Sequence, residues 1–391
     1  MHPRLTLDIG WSDLLAAALT PGGSARDDTA WRRVFPDGER VEALSVRTLF
    51  DAILTVRGQQ DDAPILMTGV TIANMAEIAR AHGRAVIAVD IDPVTLLPPP
   101  GALADAQARS GARLCVIAHL YGAVSACPDV DTLRARDVTV IEDEAQAFAG
   151  PNFNTGDRRA SASLFSFGPI KRATALGGAL GVFRDGDLAA SVRGVLAEHP
   201  VKSGAWFRQR AVKYMALKAL GAPAPYGALI RLIEARGKDP DAVIGAAARG
   251  FSGDDLLSAI RHAPPDRLLA LAARQAKACP DPAARRAAVS QFLDRLPQSV
   301  RPPGMGAQRH AWWLVPLLHG TPAKAVRALR GAGFDATRGA TSLRAIDPDA
   351  TPNAARLIDH AVYLPHPAHM SDAARERLAR AVTEIEGWMA V

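Results

Sequence analysis

Between about residues 45 and 185 the chain alternates short apolar runs with amphipathic stretches. Runs rich in β-branched residues fall at 64–68, 85–90, 113–118, 138–142, 162–166 and 179–183, and helix-like stretches such as 72–82 and 130–135 lie between several of them. Strand, helix and strand at this spacing predict βαβ units and an α/β fold, with a mostly parallel sheet covered by helices on both faces. Near-continuous apolar segments such as VIAVD and LCVIAH suit strands buried on both sides. After about residue 190 the character changes. Residues 191–300 are rich in Ala, Leu and Arg and read as helical. Residues 301–391 return to mixed α+β: HAWWLVPLL predicts a strand, PAKAVRALRGAG a helix ending on glycine, and DAARERLARAV a terminal helix. The expected organisation is therefore an arm and large domain over 1–190, a helical basic segment over 191–300, and a smaller domain over 301–391.

The 391 residues are 48% hydrophobic and 22% charged, the balance of a globular protein with a real core. The net charge of +6 is too weak to argue for nucleic acid and suits an anionic small ligand. The three cysteines give neither a disulfide framework nor a metal-binding pair, which fits a reducing cytoplasm. The opening MHPRLTLDIGWSD does not read as a secretory leader. Without a run of eighteen apolar residues, no spanning helix is expected.

Chemistry concentrates at strand ends. Asp143 closes the VTVIED run, Ser166 and Lys171 lie in SLFSFGPIKRATALGG, and His119 opens HLYG just past another strand. Ligands of open α/β sheets bind at that edge. A partly desolvated lysine is a good nucleophile toward an aldehyde. A carboxylate facing a pyridine nitrogen keeps it protonated, and a hydroxyl suits a phosphate. Each residue also has an ordinary reading: a solvated loop lysine, an aspartate cap, a surface serine, and a turn at Gly177-Gly178.

At these positions the sequence resembles the DegT/DnrJ/StrS-type sugar aminotransferases, pyridoxal 5'-phosphate enzymes of fold type I. VIAVDIDPVTL looks like the family's PVFVDVDPDTL stretch, HLYG matches its HLYG, VIEDEAQAF is close to its VIEDAAQA, and LFSFGPIKRATALGGALGVF is similar to its FSF…K…GG segment. GFDATRGATSL and VYLPHPAHMSDAARERLARAV look like its closing motifs. The resemblance implies that Lys171 forms the Schiff base, Asp143 pairs with the pyridine nitrogen, and Gln146 lies beside the phenolic oxygen. By the same resemblance Ser166 binds phosphate, and His119 lies near the cofactor, with Tyr121 toward the substrate. Ser45-Val46-Arg47-Thr48 lies where the family opens a helix on the phosphate. There the backbone of Val46 and the side chains of Arg47 or Thr48 either contact phosphate or form an ordinary helix cap. The implied reaction moves an amino group from an amino acid, commonly glutamate, to a keto sugar, often nucleotide-linked and of polysaccharide biosynthesis. The implied assembly is a homodimer.

Two departures stand out. The stretch 68–72 offers no aromatic residue where the family sets one against the cofactor ring. The family's GYNYRM motif, which reaches the partner's phosphate, has only Arg249-Gly250-Phe251-Ser252-Gly253 as a counterpart, without asparagine. Residues 201–233 interleave Trp206, Phe207, Tyr214 and Met215 with lysines and arginines and hold no acid. They read either as an amphipathic segment on the inner face of a membrane or as a helical hairpin packed on the body and broken near Pro223. Arg338 is a candidate for an anionic substrate group or a surface arginine. His366 and His369 lie in a proline-flanked loop and are not expected to bind metal, and Trp312-Trp313 reads as core. The competing functions are a pyridoxal-phosphate enzyme of secondary metabolism on a non-sugar substrate, and a non-catalytic member that binds a partner or a membrane.

Overall fold

The computed structural model describes all residues except 5, 20–27, 59–61, 249–254 and 339–341. Among the described residues the main sheet has seven strands: β1 (Glu39–Ala43), β2 (Ile65–Thr68), β3 (Val86–Val89), β4 (Leu114–Ala118), β5 (Thr139–Asp143), β6 (Ala162–Ser166) and β7 (Ala179–Phe183). Their order is β1-β7-β6-β5-β4-β2-β3. The run from β6 to β3 is parallel, while β7 is antiparallel to β6 and β1 is antiparallel to β7. Alternation along each strand sorts the side chains between two cores. Ile65, Met67, Leu114, Val116 and Ile141 face the helices Val46–Gly58, Ala73–Ala81 and Gly186–Ala197. Leu66, Cys115, Ile117 and Val140 face the helices Ala102–Ser110 and Val130–Ala135. The apolar runs are thus strands buried on both faces, except VIAVD: β3 is the edge strand, and its Val86, Ile87 and Ala88 are only half-buried. β1 was not evident from the pattern, because ERVEA is short and half polar and is held by its ladder to β7.

The middle of the chain is helical as expected, and proline sets its punctuation. The helix Gly204–Leu220 is capped by Ser203, whose Oγ accepts the Trp206 N–H at 3.1 Å. Pro223 opens the next helix, Pro223–Ala235, at a position where no N–H is needed. The pair forms a hairpin, with Phe207, Ala211 and Tyr214 buried beneath it.

The C-terminal part packs the helices Pro322–Gly331, Pro352–His360 and Asp372–Thr383 with a short ladder of Pro316–Leu318 on Ala361–Tyr363. The expected single strand over HAWWLVPLL is corrected here. Only Arg309–His310 and Pro316–Leu318 are extended strands. Trp312 adopts φ 50°, which breaks the strand, and Ala311 and Trp313 instead donate to the carbonyls of Gly122 and Tyr121. A second short ladder, Val70–Ile72 on Leu343–Ala345, ties this part to the segment after β2.

Candidate active site

Parallel strands end at the same edge: Ala118 of β4 pairs with Asp143 of β5, and Ser166 of β6 lies two residues past Leu164, the partner of Asp143. Asp143 has the parity of Ile141 and Ser166 that of Leu164, so both side chains emerge on the face covered by the helix Val46–Gly58. The loop after β6 carries Lys171. Gly178, with φ 85°, returns that loop to β7, and a Cβ there would sit 2.6 Å from Leu268 Cδ2. The Gly178 N–H donates to the Leu44 carbonyl, which brings the loop against the start of the helix at Val46.

At the centre stand Lys171, Asp143 and Arg47, close enough to feel one another's charge. Burial pushes the Lys171 ammonium down to about 7; the Asp143 carboxylate opposes the shift and Arg47 adds to it. The amine makes no hydrogen bond within the described chain and lies 4.0 Å from the Trp313 ring centroid. The Trp313 indole is fixed by donating to the Ile170 carbonyl at 2.8 Å. Burial raises Asp143 above the usual carboxylate range, against the hydrogen bond from Ala145 and the charges of Lys171, Arg47 and His119. Its Oδ1 accepts the Ala145 N–H at 3.0 Å, and Oδ2 accepts nothing from the described residues. Gln146 takes the Tyr121 N–H on Oε1 at 2.9 Å, which leaves its amide nitrogen as an unused donor.

The other candidates divide. Val46 is the first residue of its helix, and its N–H has no acceptor among the described residues. Arg47 Nε donates to Asn74 Oδ1 at 2.9 Å. Thr48 acts as a cap component: its hydroxyl donates to the Ile260 carbonyl at 2.9 Å and meets Ser45 Oγ. Ser166 Oγ accepts the Gly168 N–H at 3.4 Å within the lysine loop. His119 turns its Nε2 to Glu142 and Glu144. Tyr121 is fully buried, with its hydroxyl 3.2 Å from that of Tyr363. Arg338 is exposed, and the 249–253 candidate for the partner's phosphate lies outside the described residues. His366 has both nitrogens engaged, Nε2 with the Trp312 carbonyl and Nδ1 with the Ala368 N–H.

Trp313 was missed by sequence reasoning, which took it for core. It is indeed nearly buried, yet one face of the ring covers the reactive amine. Gly122 makes that possible. Its φ is 94°, and a Cβ there would lie 2.7 Å from the Trp313 backbone nitrogen. Gly122→Ala is expected to cost roughly 1–3 kcal/mol from the left-handed backbone alone, read by urea denaturation, and to dislodge Trp313, read as a shift in its fluorescence.

The donor set fits pyridoxal phosphate. A half-buried amine, an acid with one open oxygen, an amide N–H and a helix-start N–H, all without partners among the described residues, occupy one edge of one sheet. A mostly parallel sheet closed by an antiparallel strand, with a lysine just past the sheet edge, is the layout of the fold type I transferases. Residues 48–222 match the model of the DegT/DnrJ/EryC1/StrS aminotransferase family. The fold is shared with the sugar aminotransferase CalS13 from Micromonospora echinospora (TM-score 0.66, 18% identity, 98% of this chain and 99% of that one). It is also shared with Helicobacter pylori PseC, an aminotransferase involved in the biosynthesis of pseudoaminic acid (TM-score 0.71, 14% identity, 97% and 98%). The PLP form of Spr1654 from Streptococcus pneumoniae matches over 97% of both chains, with TM-score 0.68 and 14% identity. No curated protein matches the chain significantly in sequence.

Proposed function

We propose that this chain is a pyridoxal-phosphate-dependent sugar aminotransferase that takes its amino group from an amino acid, glutamate first, and gives it to a nucleotide-linked keto sugar. We assign it a homodimeric assembly, as the family resemblance implies. The observation that carries the reading is the Lys171 amine: half-buried, without a hydrogen bond among the described residues, beside Asp143, and pushed by desolvation down to about 7. The family-model match over residues 48–222 and the fold shared with CalS13 and PseC support the sugar.

Pyridoxal phosphate supplies an aldehyde that captures amines and a protonated ring that accepts the electron pair released at a substrate carbon. The protein does the rest. Lys171 Nζ, neutral because burial disfavours its charge, takes the proton from the substrate carbon and returns it, as general base and then acid. Asp143 Oδ2 would hold the proton on the ring nitrogen, with Oδ1 anchored by the Ala145 N–H. The Gln146 amide would donate to the phenolic oxygen. Val46 N–H, Ser166 and Arg47 would receive the phosphate at the helix start. Trp313 covers the amine and excludes water.

The test is a half-reaction. Purified holoprotein mixed with glutamate should lose its near-visible absorbance and release 2-oxoglutarate, and a panel of nucleotide-linked keto sugars should restore the band. Restoration only by non-sugar ketones would move the protein to another substrate class, and no response to any amino acid would favour a non-catalytic role.

A second reading concerns the surface. Trp11, Leu15 and Leu19 on one helix and Val212, Leu220 and Leu232 on the hairpin are exposed, Leu19 at 73% and Val212 at 57%. The helix Trp11–Leu19 packs on Gly204–Leu220. The exposed charges of the hairpin helices are Arg208, Lys213 and Arg231 against Glu234 alone. Apolar side chains among a basic excess fit an anionic bilayer surface. The intact protein should float with phosphatidylserine vesicles at low salt, and Val212→Glu with Leu220→Glu should sink. Equal flotation of both would remove the reading.

A further inference from the structure

Behind Asp143, on the opposite face of β5, lies a group of charges that the proposed reaction does not use. His119 Nε2 stands 3.1 Å from Glu142 Oε1 and 3.5 Å from Glu144 Oε1, and all three residues are buried. The remaining oxygens are occupied. Glu142 Oε2 accepts the Asp157 N–H and the Ser163 hydroxyl, both at 2.7 Å. Glu144 Oε2 accepts the Asn154 amide at 2.7 Å. The backbone completes the bracket, because the His119 N–H donates to the Asp143 carbonyl at 3.1 Å. Residues 142, 143 and 144 are therefore gripped from one side by a single histidine. Two residues on, the Tyr121 N–H holds Gln146. The family motif quoted above has alanine where this chain has Glu144, so half of the grip belongs to this chain.

We propose that Glu144 is a positioning residue: with Glu142 it holds His119 as a buried cation, and that cation locks Asp143 at the angle and charge its role on the ring nitrogen requires. The proposal rests on the cofactor reading above. An Nε2 that faces two buried carboxylate oxygens presents its N–H to them, and the negative charge gathered beside it favours a second proton on the ring. The charges facing His119 are Glu142 and Asp143 on β5 and Glu144 in the turn after it. Arg184, after β7, lies beyond the glutamates, with Nη1 on Ser163 Oγ at 2.8 Å, and Asp157 is neutralised by Arg159. Burial pulls the imidazole down, but the Glu144 charge and the bond and charge of Glu142 outweigh it, raising His119 to about 9. Burial, against the charge of His119, raises Glu144 to about 7.

The sign for stability follows. A group raised on folding binds more protons in the native state, so its stabilisation is complete below the unfolded value near 6.5 and is lost as pH rises through 9. The same three side chains bring their ligand atoms within 4.8 Å of one another, a spacing a divalent cation could also use. The second oxygens of both glutamates are already bonded to neutral donors, which favours the proton over a metal.

The experiment follows the imidazole in full-length protein carrying 15N-histidine, with the His119 signal assigned through His119→Gln, over pH 6–10. In the wild-type protein His119 should stay protonated past pH 8. In Glu144→Ala its midpoint should fall by more than one unit, and affinity for pyridoxal phosphate, read by fluorescence quenching, should fall about tenfold. Asn154→Ala, which removes only the Glu144 Oε2 partner, should give a smaller fall in the midpoint and serves if Glu144→Ala does not fold. Equal midpoints in wild type and both variants would overturn the proposal. So would stoichiometric zinc binding that displaces the His119 proton and disappears in Glu144→Ala. If the wild-type protein binds no pyridoxal phosphate, the cofactor reading fails, while the titration still decides whether Glu144 holds the cation.

Discussion

Lys171→Ala is expected to abolish the glutamate half-reaction, with a loss of at least about 10³-fold, because a positioned general base alone contributes roughly 10²–10⁴ and covalent capture of the aldehyde disappears with it. The same change should erase the near-visible band of the purified protein. Borohydride treatment followed by peptide mass spectrometry should find the pyridoxyl mass on Lys171 in the wild type and nowhere in the variant. An adduct on another lysine would end the assignment. Stability provides an independent check. Burial lowers the Lys171 amine from 10.5 to about 7, so the native state is penalised in full below pH 7, and the penalty fades as pH climbs to 10.5. Lys171→Met replaces the amine with an apolar chain of similar length. Its cofactor-free form should melt above the wild type at pH 6, with a margin that shrinks by pH 10. A constant margin would mean that the amine is not desolvated as described.

The second large effect belongs to Asp143. Asp143→Asn keeps the shape and the Ala145 contact but removes the charge. Breaking a buried charge pair costs about 3–5 kcal/mol, which corresponds to a fall of roughly 10²–10⁴-fold in turnover. Binding of pyridoxal phosphate should survive, since phosphate and amine contacts lie elsewhere. The variant also has a directional signature at Lys171. Asp143 holds that amine up against burial, so its loss should move the midpoint for acetylation of Lys171 by acetic anhydride to lower pH. A midpoint that stays in place would separate the two side chains and sink the shared-ring geometry.

How far the chain could be read varies by element. The strands β2 to β7 were legible because each is a continuous apolar run, buried twice in all but the edge strand β3, and the sheet edge followed because parallel strands end together. Lys171 and Asp143 were therefore placed on one edge before any coordinates. β1 was not legible, because ERVEA becomes a strand only through its partner, β7. Trp313 was read as core because its burial is real. The face it gives to Lys171 depends on contacts some 140 residues apart and on the backbone of Gly122. His119 was placed by motif near the cofactor, but motif does not tell which way a ring turns past a strand end. Glu144 stood in plain sight as the odd residue of VIEDEAQAF, and only its pairing with Asn154 and His119 gives it a role.

The ladder between Val70–Ile72 and Leu343–Ala345 has a consequence for motion. Swinging the C-terminal part away as a rigid body would break a run of main-chain bonds and lift Trp313 off the amine in the same stroke. The Trp313 ring is itself held, by its indole hydrogen bond to Ile170 and by the core packed around it. The cover over the amine is thus built into the same frame that joins the two ends of the chain.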